Sequence, residues 1–110
     1  MVQTRAETMA RAHGKNATRR PMMTVLTTLG RRWSLRILWE LRDGPLSFRA
    51  LRAAADDISP SVLNARLAEL RELDVVTREE GGYALTDAGR ELGAILMQLA
   101  RWAERNCGRR

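Results

Sequence analysis

The sequence contains a single cysteine, Cys107, and a single histidine, His13, in 110 residues. One cysteine cannot form a disulfide within the chain, and its isolation fits a protein of a reducing compartment. The sequence shows no zinc-ligand spacing, no phosphate-binding glycine loop and no nucleophile elbow. We therefore expect no enzymatic activity, no metal site and no cofactor.

Long hydrophobic runs are also missing. The longest apolar-rich stretch, Leu92 to Ala100, is interrupted by Gln98 and is far shorter than the ~20 residues that a membrane helix needs. The N-terminus lacks the apolar stretch and cleavage site of a secretion signal. These absences predict a cytoplasmic protein without a membrane partner, and 110 residues allow one domain with one modest core.

Acidic residues are scarce only near the N-terminus. Residues 1–32 contain seven basic residues against Glu7 alone, whereas residues 33–110 contain twelve basic and twelve acidic residues. The whole net charge of +6 therefore lies in the first part of the chain, and we predict that residues 1–20 form a flexible basic arm. Such arms follow phosphate backbones, anionic membranes or acidic proteins, and a solubilising tail is the alternative.

Apolar residues recur at helical spacing from Pro21 to Leu29 and again from Ser34 to Arg42. Pro21 suits the first position of a helix, and Gly30 is suited to end the first helix. The sequence Asp43-Gly44-Pro45 ends the second helix, because proline cannot continue it. Two helices are therefore predicted before the middle of the chain.

Two further helices have clear start signals. Ser47 can cap a short helix, and Ser59 followed by Pro60 can cap a longer one. A helix, a short turn and a second helix form a helix-turn-helix unit, in which the longer helix would be the recognition helix. Its predicted buried stripe consists of Leu63, Leu67, Leu70 and Leu73.

β-prone residues flank Glu79-Glu80-Gly81-Gly82, which predicts a hairpin with a tight turn. Thr86 can cap a last helix from Asp87 to about Asn106. A hairpin directly after a helix-turn-helix is a wing. The order of elements predicts a mostly α fold with a small β-hairpin, a winged helix-turn-helix domain at residues 21–106, followed by a tail at 107–110.

The stretch Leu29-Gly-Arg-Arg-Trp-Ser-Leu-Arg-Ile-Leu-Trp-Glu-Leu-Arg-Asp-Gly-Pro45 resembles the opening of the HxlR-type winged-helix regulators. Their pattern is matched by Gly30, Arg32, Trp33, Ser34, Gly44 and Pro45. The resemblance covers about residues 20–106 and continues through Phe48–Arg52, Ile58–Leu70 and Tyr83–Leu92. It implies a sequence-specific regulator of transcription, expected to be a repressor, that binds double-stranded DNA at the nucleoid as a homodimer.

The outer face of the recognition helix is small and polar, which allows the helix to lie deep in a major groove. Asn64 can pair with adenine, and Ser59 and Ser61 lie near the helix N-terminus, where phosphates bind. Arg66 is interpreted either as a DNA contact or as part of a structural ion pair. The predicted DNA-binding residues are Arg49, Ser59, Pro60, Ser61, Asn64, Arg66 and Arg78.

The last helix is too long for one subunit to cover. About 20 residues span ~30 Å, whereas a folded body of about 90 residues has a radius of gyration of about 12 Å. We therefore predict, as the resemblance also implies, a two-fold dimer through the first and last helices, with a helix folded over its own core as the alternative. The predicted interface residues are Met22, Leu26, Leu29, Leu92, Ile95, Leu96, Leu99 and Trp102.

Two features depart from the family. Many members carry a redox-sensing cysteine followed by proline, thirteen residues before the tryptophan, and here that position is Arg20, followed by Pro21. Thiol switching of this kind is therefore not expected. The wing is also shorter, and Glu79 and Glu80 would repel phosphates. We expect weak wing contacts, compensated by the basic arm in a neighbouring groove.

A small-molecule effector is a further expectation. Trp33, Trp39, Met22 and Met23 are candidates to line a cavity near the dimer interface, with a role in the core as the alternative. A different function is also open. The acidic wing and the zero net charge of residues 33–110 suit a winged-helix protein-protein interaction module without sequence-specific DNA binding.

Overall fold

Five α-helices and one antiparallel hairpin follow one another in a computed structural model that describes residues 19–108. The elements are α1 (Arg19–Leu29), α2 (Ser34–Glu40), α3 (Phe48–Ala54), α4 (Pro60–Glu72), β1 (Val76–Glu79), β2 (Gly82–Leu85) and α5 (Asp87–Cys107). The predicted mostly helical fold with a small hairpin is confirmed. Of the predicted basic arm, residues 1–18 lie outside the described residues.

The helix ends differ slightly from the predicted ones. α1 begins at Arg19, so Pro21 is its third residue rather than its first. The missing N–H is harmless there, because the first four N–H groups of a helix have no acceptor within the helix. α2 ends at Glu40, two residues before the predicted Arg42, and α5 includes Cys107. No helix within residues 19–108 is both long and apolar enough to cross a membrane.

The predicted caps of the last three helices are confirmed. Ser47, Ser59 and Thr86 each accept a hydrogen bond from the backbone N–H three residues further on, at 3.0, 3.2 and 2.9 Å. Each such cap contributes about 1 kcal/mol to helix stability. α2 begins differently: Trp33 precedes it in the left-handed backbone region, with φ at 82°, and makes no side-chain cap.

The core lies where α2, α3 and α4 meet the hairpin. The predicted stripe on α4 is buried at its three central leucines, while Leu73 is half-buried at the edge. These leucines belong to one cluster with Ile37 on α2 and Leu51 on α3, both of which have no exposed surface. Burying one face of α4 in this way fixes which of its faces remains open to a partner.

The wing is a two-stranded hairpin in which Val76 pairs with Leu85 and Glu79 pairs with Gly82. Its turn is tight and contains Gly81 at a φ of 81°, a conformation that favours glycine. Leu46 adds a bridge to the second strand, through two backbone hydrogen bonds with Tyr83 of 2.8 and 3.0 Å. The wing is therefore anchored to the segment that joins α2 to α3.

α5 begins in direct contact with the start of the wing. Gly89 is buried, and a Cβ at this position would overlap the carbonyl oxygen of Val75. The Thr86 hydroxyl donates to the carbonyl of Asp74 at 2.7 Å, which holds the same junction. Only a residue without a side chain allows the helix to come this close to the strand.

We expect Gly89→Ala to lower the free energy of unfolding by about 1–3 kcal/mol, because the added methyl group forces α5 away from Val75. Gly93→Ala in the same helix is the matched control. Its Cβ meets no atom within 4 Å, and replacing glycine inside a helix gains about 0.5–1 kcal/mol. Urea unfolding at equal protein concentration measures both variants. Similar effects of the two substitutions would contradict the close approach.

Candidate nucleic-acid interface

The turn between α3 and α4 is formed by two aspartates in the left-handed backbone region. Asp56 and Asp57 have φ values of 56° and 57°. This region costs an L-residue roughly 1–2 kcal/mol, and aspartate is among the residues that tolerate it best. The Asp57 N–H donates to the Arg52 carbonyl at 2.9 Å, and the Ile58 N–H donates to the Ala55 carbonyl at 3.1 Å. The turn therefore sets the direction in which α4 leaves α3.

Two arginines hold this turn from outside. Arg36 on α2 donates to the Ala54 carbonyl at 2.7 Å and pairs with Asp56 at 3.1 Å. Arg52 on α3 donates from Nε to the Ile58 carbonyl at 2.7 Å. The hydrogen bond from Arg36 to Glu40, together with Asp56, raises the pKa of Arg36 above its ordinary value.

The face of α4 that points away from the core carries small and polar side chains. Ser61, Asn64, Ala68 and Arg71 are exposed. At about 100° per residue, these four positions fall within an arc of about 80°. Ser59 and Pro60 are also exposed at the start of the helix, where Pro60 occupies the first helical position. A helix with such a narrow outer face fits a major groove.

Arg66 does not belong to this face. Its side chain is 16% exposed, and its Nε lies 3.2 Å from Oε1 of Glu69, at ion-pair distance but not aligned as a hydrogen bond. Arg31, in the loop after α1, lies 3.4 Å from the other oxygen of Glu69. A guanidinium held in this way is not free to reach a base edge. The geometry favours the structural ion pair over the predicted DNA contact.

Three other arginines have exposed side chains near the helix-turn-helix and wing: Arg49 on α3, Arg71 on α4 and Arg78 on β1. No ion pair found within residues 19–108 involves them. Arg78 lies over the Tyr83 ring, 5.8 Å from its centroid. Arg71 is absent from the predicted DNA-binding residues, although its spacing of seven residues from Asn64, about two helical turns, signals the same face.

Large apolar side chains are exposed only on α1, α2 and α5 within the described part of the chain. They are Met22, Met23, Leu26, Leu35, Trp39, Ile95, Met97, Leu99 and Trp102. α3, α4 and the hairpin have none of this kind. The apolar surface is therefore separate from the polar face of α4.

The predicted dimer residues divide into two groups. Met22, Leu26, Ile95, Leu99 and Trp102 are about half exposed or more. Leu29, Leu92 and Leu96 instead pack against the core of their own chain. One subunit therefore covers the predicted stripe at Leu92 and Leu96 and leaves it exposed at Ile95, Leu99 and Trp102. That a second copy covers the rest stays a prediction. At about 100° per residue, Leu92 and Leu96 are turned toward the core by about 60° and 100° from Ile95.

Of the four candidates to line an effector cavity, Trp39 borders an apolar groove between α2 and α5, and the other three do not. Trp33 is half-buried against the core, and Met22 and Met23 are exposed on α1.

Comparisons with known proteins identify the relatives of this chain. A family model described as HxlR-like helix-turn-helix matches residues 28–110. The HTH-type transcriptional regulator YodB of Bacillus subtilis is 31% identical over 93 residues, which cover 78% of this chain and 83% of YodB.

Solved structures of such proteins share the fold. Quinone-bound YodB from B. subtilis superposes with a TM-score of 0.72 and 33% identity, over 76% of this chain and 96% of that chain. The redox regulator HypR in its reduced form superposes with a TM-score of 0.67 and 29% identity, over 78% of this chain and 92% of that chain. The arrangement of helices and wing is therefore common to this chain, to YodB and to HypR.

We expect Arg36→Met to increase amide hydrogen exchange at Asp57 and Ile58, because the turn loses the donor to Ala54 and the partner of Asp56. Exchange at Leu67, in the buried part of α4, should change less. Exposed Arg101 on α5 supplies the matched control, Arg101→Met. If amide exchange at Asp57 and Ile58 were the same in Arg36→Met as in Arg101→Met, Arg36 would not hold the turn.

Proposed function

The chain belongs to the HxlR-like helix-turn-helix family and is a DNA-binding transcriptional regulator, and we propose that it represses transcription as a homodimer that reads a specific operator with α4. The observation that carries the proposal is the face of α4 formed by Ser61, Asn64, Ala68 and Arg71, which is exposed opposite the buried side chains of Leu63, Leu67 and Leu70. The direction of this helix is set by the arginine-held turn before it.

The first turn of α4 supplies a backbone donor for a phosphate at Ser61. Pro60 has no N–H, and the Val62 N–H is already bonded to the Ser59 hydroxyl. The Ser61 N–H therefore remains, beside the Ser61 hydroxyl and at the positive end of the helix dipole. We assign Ser59 and Ser61 to phosphate contacts that set the register, and Asn64 to a base edge.

The exposed arginines complete the interface. Arg49, Arg71 and Arg78 are not engaged in ion pairs within the described part of the chain, so their charges are available to phosphates. We leave Arg66 out of the DNA-binding set because Glu69 holds it. Glu79 and Glu80 are exposed at the wing tip and would repel phosphates. The wing is therefore proposed to contribute through Arg78 only.

We propose the dimer because its own chain covers α1 poorly. The helix has eleven residues, and none of its described side chains is buried. An isolated helix of this length is marginal in water, so it needs a surface to pack on. A second copy can pack on the exposed apolar residues of these helices, which are Met22 and Leu26 on α1 and Ile95 and Trp102 on α5. A two-fold axis would then place two α4 helices about 34 Å apart, one turn of DNA.

We propose that the regulator represses transcription by occupying promoter DNA, and that it has no catalytic activity. A regulator of this kind works in the cytoplasm, at the nucleoid. A quinone is bound to YodB in one solved structure. We propose that a small molecule also controls this chain, without a cysteine at position 20.

Specific binding is tested by fluorescence anisotropy with upstream intergenic DNA against a scrambled duplex across a salt series. We expect tight binding that resists the scrambled competitor and weakens with salt. Asn64→Ala should lower affinity by about 1–3 kcal/mol and relax specificity at one base position. Arg71→Gln should weaken binding to all sequences and reduce the salt slope by about 1.

Arg101→Gln on α5 is the control and should change neither quantity. If wild-type protein bound scrambled DNA as tightly as every intergenic duplex from a genome-wide selection, sequence-specific regulation by this chain would be refuted.

Dimerisation is tested by sedimentation of the double variant Ile95→Arg and Trp102→Arg. We expect folded monomers with much weaker operator binding, because two charges cannot be buried in an apolar interface without partners. Glu104→Arg is the control, since it lies about 180° around α5 from Ile95 at 100° per residue. A double variant that remained dimeric would contradict the assigned surface.

A further inference from the structure

An apolar groove of about 540 Å³ runs between α2 and α5. Its volume falls within the range of roughly 300–1,000 Å³ that is usual for small-molecule sites. Leu35 and Trp39 form the α2 wall, and Met97 forms the α5 wall. Gly93 and Ala100 keep the groove open because their side chains are so small. Trp39 is 45% exposed, and although Arg42 covers one face of its ring, the remaining surface is available to a molecule in the groove.

The charges that border this groove all have one sign. Its lining contains Arg36, Arg42 and Arg90 and no carboxylate. Arg36 is committed to the turn before α4, which leaves Arg42 on α2 and Arg90 on α5. These two arginines also border the neighbouring, more polar cavity, whose lining includes Asp43, Glu79 and Asp87, so they stand where the two cavities meet. On the side of the groove itself, the lining has an apolar body and a cationic end.

Both guanidinium groups are held in place by their own chain. Arg42 stacks on the Trp39 ring at 3.8 Å from its centroid and donates to the Trp39 carbonyl at 2.9 Å. Arg90 donates to the Leu85 carbonyl at 3.1 Å. Their carboxylate partners, Asp43 and Asp87, are 85% and 98% exposed. Such exposed pairs are weak, so a ligand carboxylate competes with them readily.

The groove and the proposed dimer surface occupy different sides of α5. Ile95 and Trp102 do not line the groove, whereas Gly93 and Met97 do. At about 100° per residue, Gly93 and Met97 lie about 160° around the helix from Ile95. Leu96 and Leu99, both among the predicted interface residues, also line the groove. A second copy that packs on Ile95 and Trp102 therefore reaches the groove only at these two leucines and leaves Gly93 and Met97 open.

We infer that this groove binds an amphipathic carboxylate, with its apolar body between Trp39 and Met97 and its carboxylate between Arg42 and Arg90. The shape supplies the apolar contact, and the two arginines supply charge-assisted hydrogen bonds that a neutral molecule would not make. The ligand's role as an effector rests on the proposed function. The binding site itself does not depend on it.

The test uses the full chain and isothermal titration calorimetry with 2-naphthoate and its neutral isostere 2-naphthamide. We expect saturable binding of one naphthoate per subunit, at least tenfold tighter than naphthamide. Equal affinities for the two probes would overturn the inference, and so would the absence of saturable naphthoate binding. This comparison needs only the wild-type protein.

Variants then locate the site. Arg42→Gln with Arg90→Gln should weaken naphthoate at least tenfold and leave naphthamide unchanged, while Arg101→Gln on the same helix as Arg90 should bind both probes normally. Circular dichroism checks that each variant is folded. Unchanged naphthoate affinity in the folded double variant would overturn the inference.

A groove-filling variant, Ala100→Trp, separates a ligand from a second copy. We expect it to abolish naphthoate binding and to remain dimeric in sedimentation. Loss of the dimer would show that the groove is a subunit contact and would overturn the inference.

Operator binding is measured separately. Intact operator binding without naphthoate binding refutes the site alone, whereas naphthoate binding without operator binding refutes the proposed function alone.

Discussion

The direction of the recognition helix depends on the guanidinium of Arg36. It binds the end of α3 at the Ala54 carbonyl and the turn at Asp56, while it is itself held by Glu40 on α2. Two aspartates in left-handed backbone are stable there because surrounding groups fix them. α2 thus serves two purposes: it supplies apolar residues to the core, and it holds the end of α3 and the turn that leads into α4.

Much of the fold could be predicted from local signals. The caps at Ser47, Ser59 and Thr86 and the leucine stripe of α4 depend on residues a few positions apart, and all of them are confirmed. Charged residues were harder to assign, because their roles depend on partners distant in sequence. Arg66 is held in a cluster that includes Arg31 from another part of the chain. The helical spacing of apolar residues on α5 also could not show that the core of the same subunit covers Leu92 and Leu96 but not Ile95, Leu99 and Trp102.

The departures from the family pattern limit the chemistry open to this chain. Position 20, where many relatives carry a redox-sensing cysteine, is an arginine, and the one cysteine is exposed at the far end of α5. A guanidinium cannot form a disulfide or a thiol adduct. Thiol chemistry at position 20 is therefore closed to this chain, whereas the apolar surfaces of α1, α2 and α5 remain available for non-covalent contacts.

The contact at Gly89 fixes the direction in which the free end of α5 points. The helix is held by the wing at its first turn and by the core at Leu92 and Leu96, while most of the residues after Leu96 are exposed. These last eleven residues of α5 span about 16 Å at 1.5 Å per residue. A tilt of about 10° at Leu96 therefore displaces the end of the helix by about 3 Å. A small change of angle where the helix leaves the core thus becomes a larger displacement at its C-terminus.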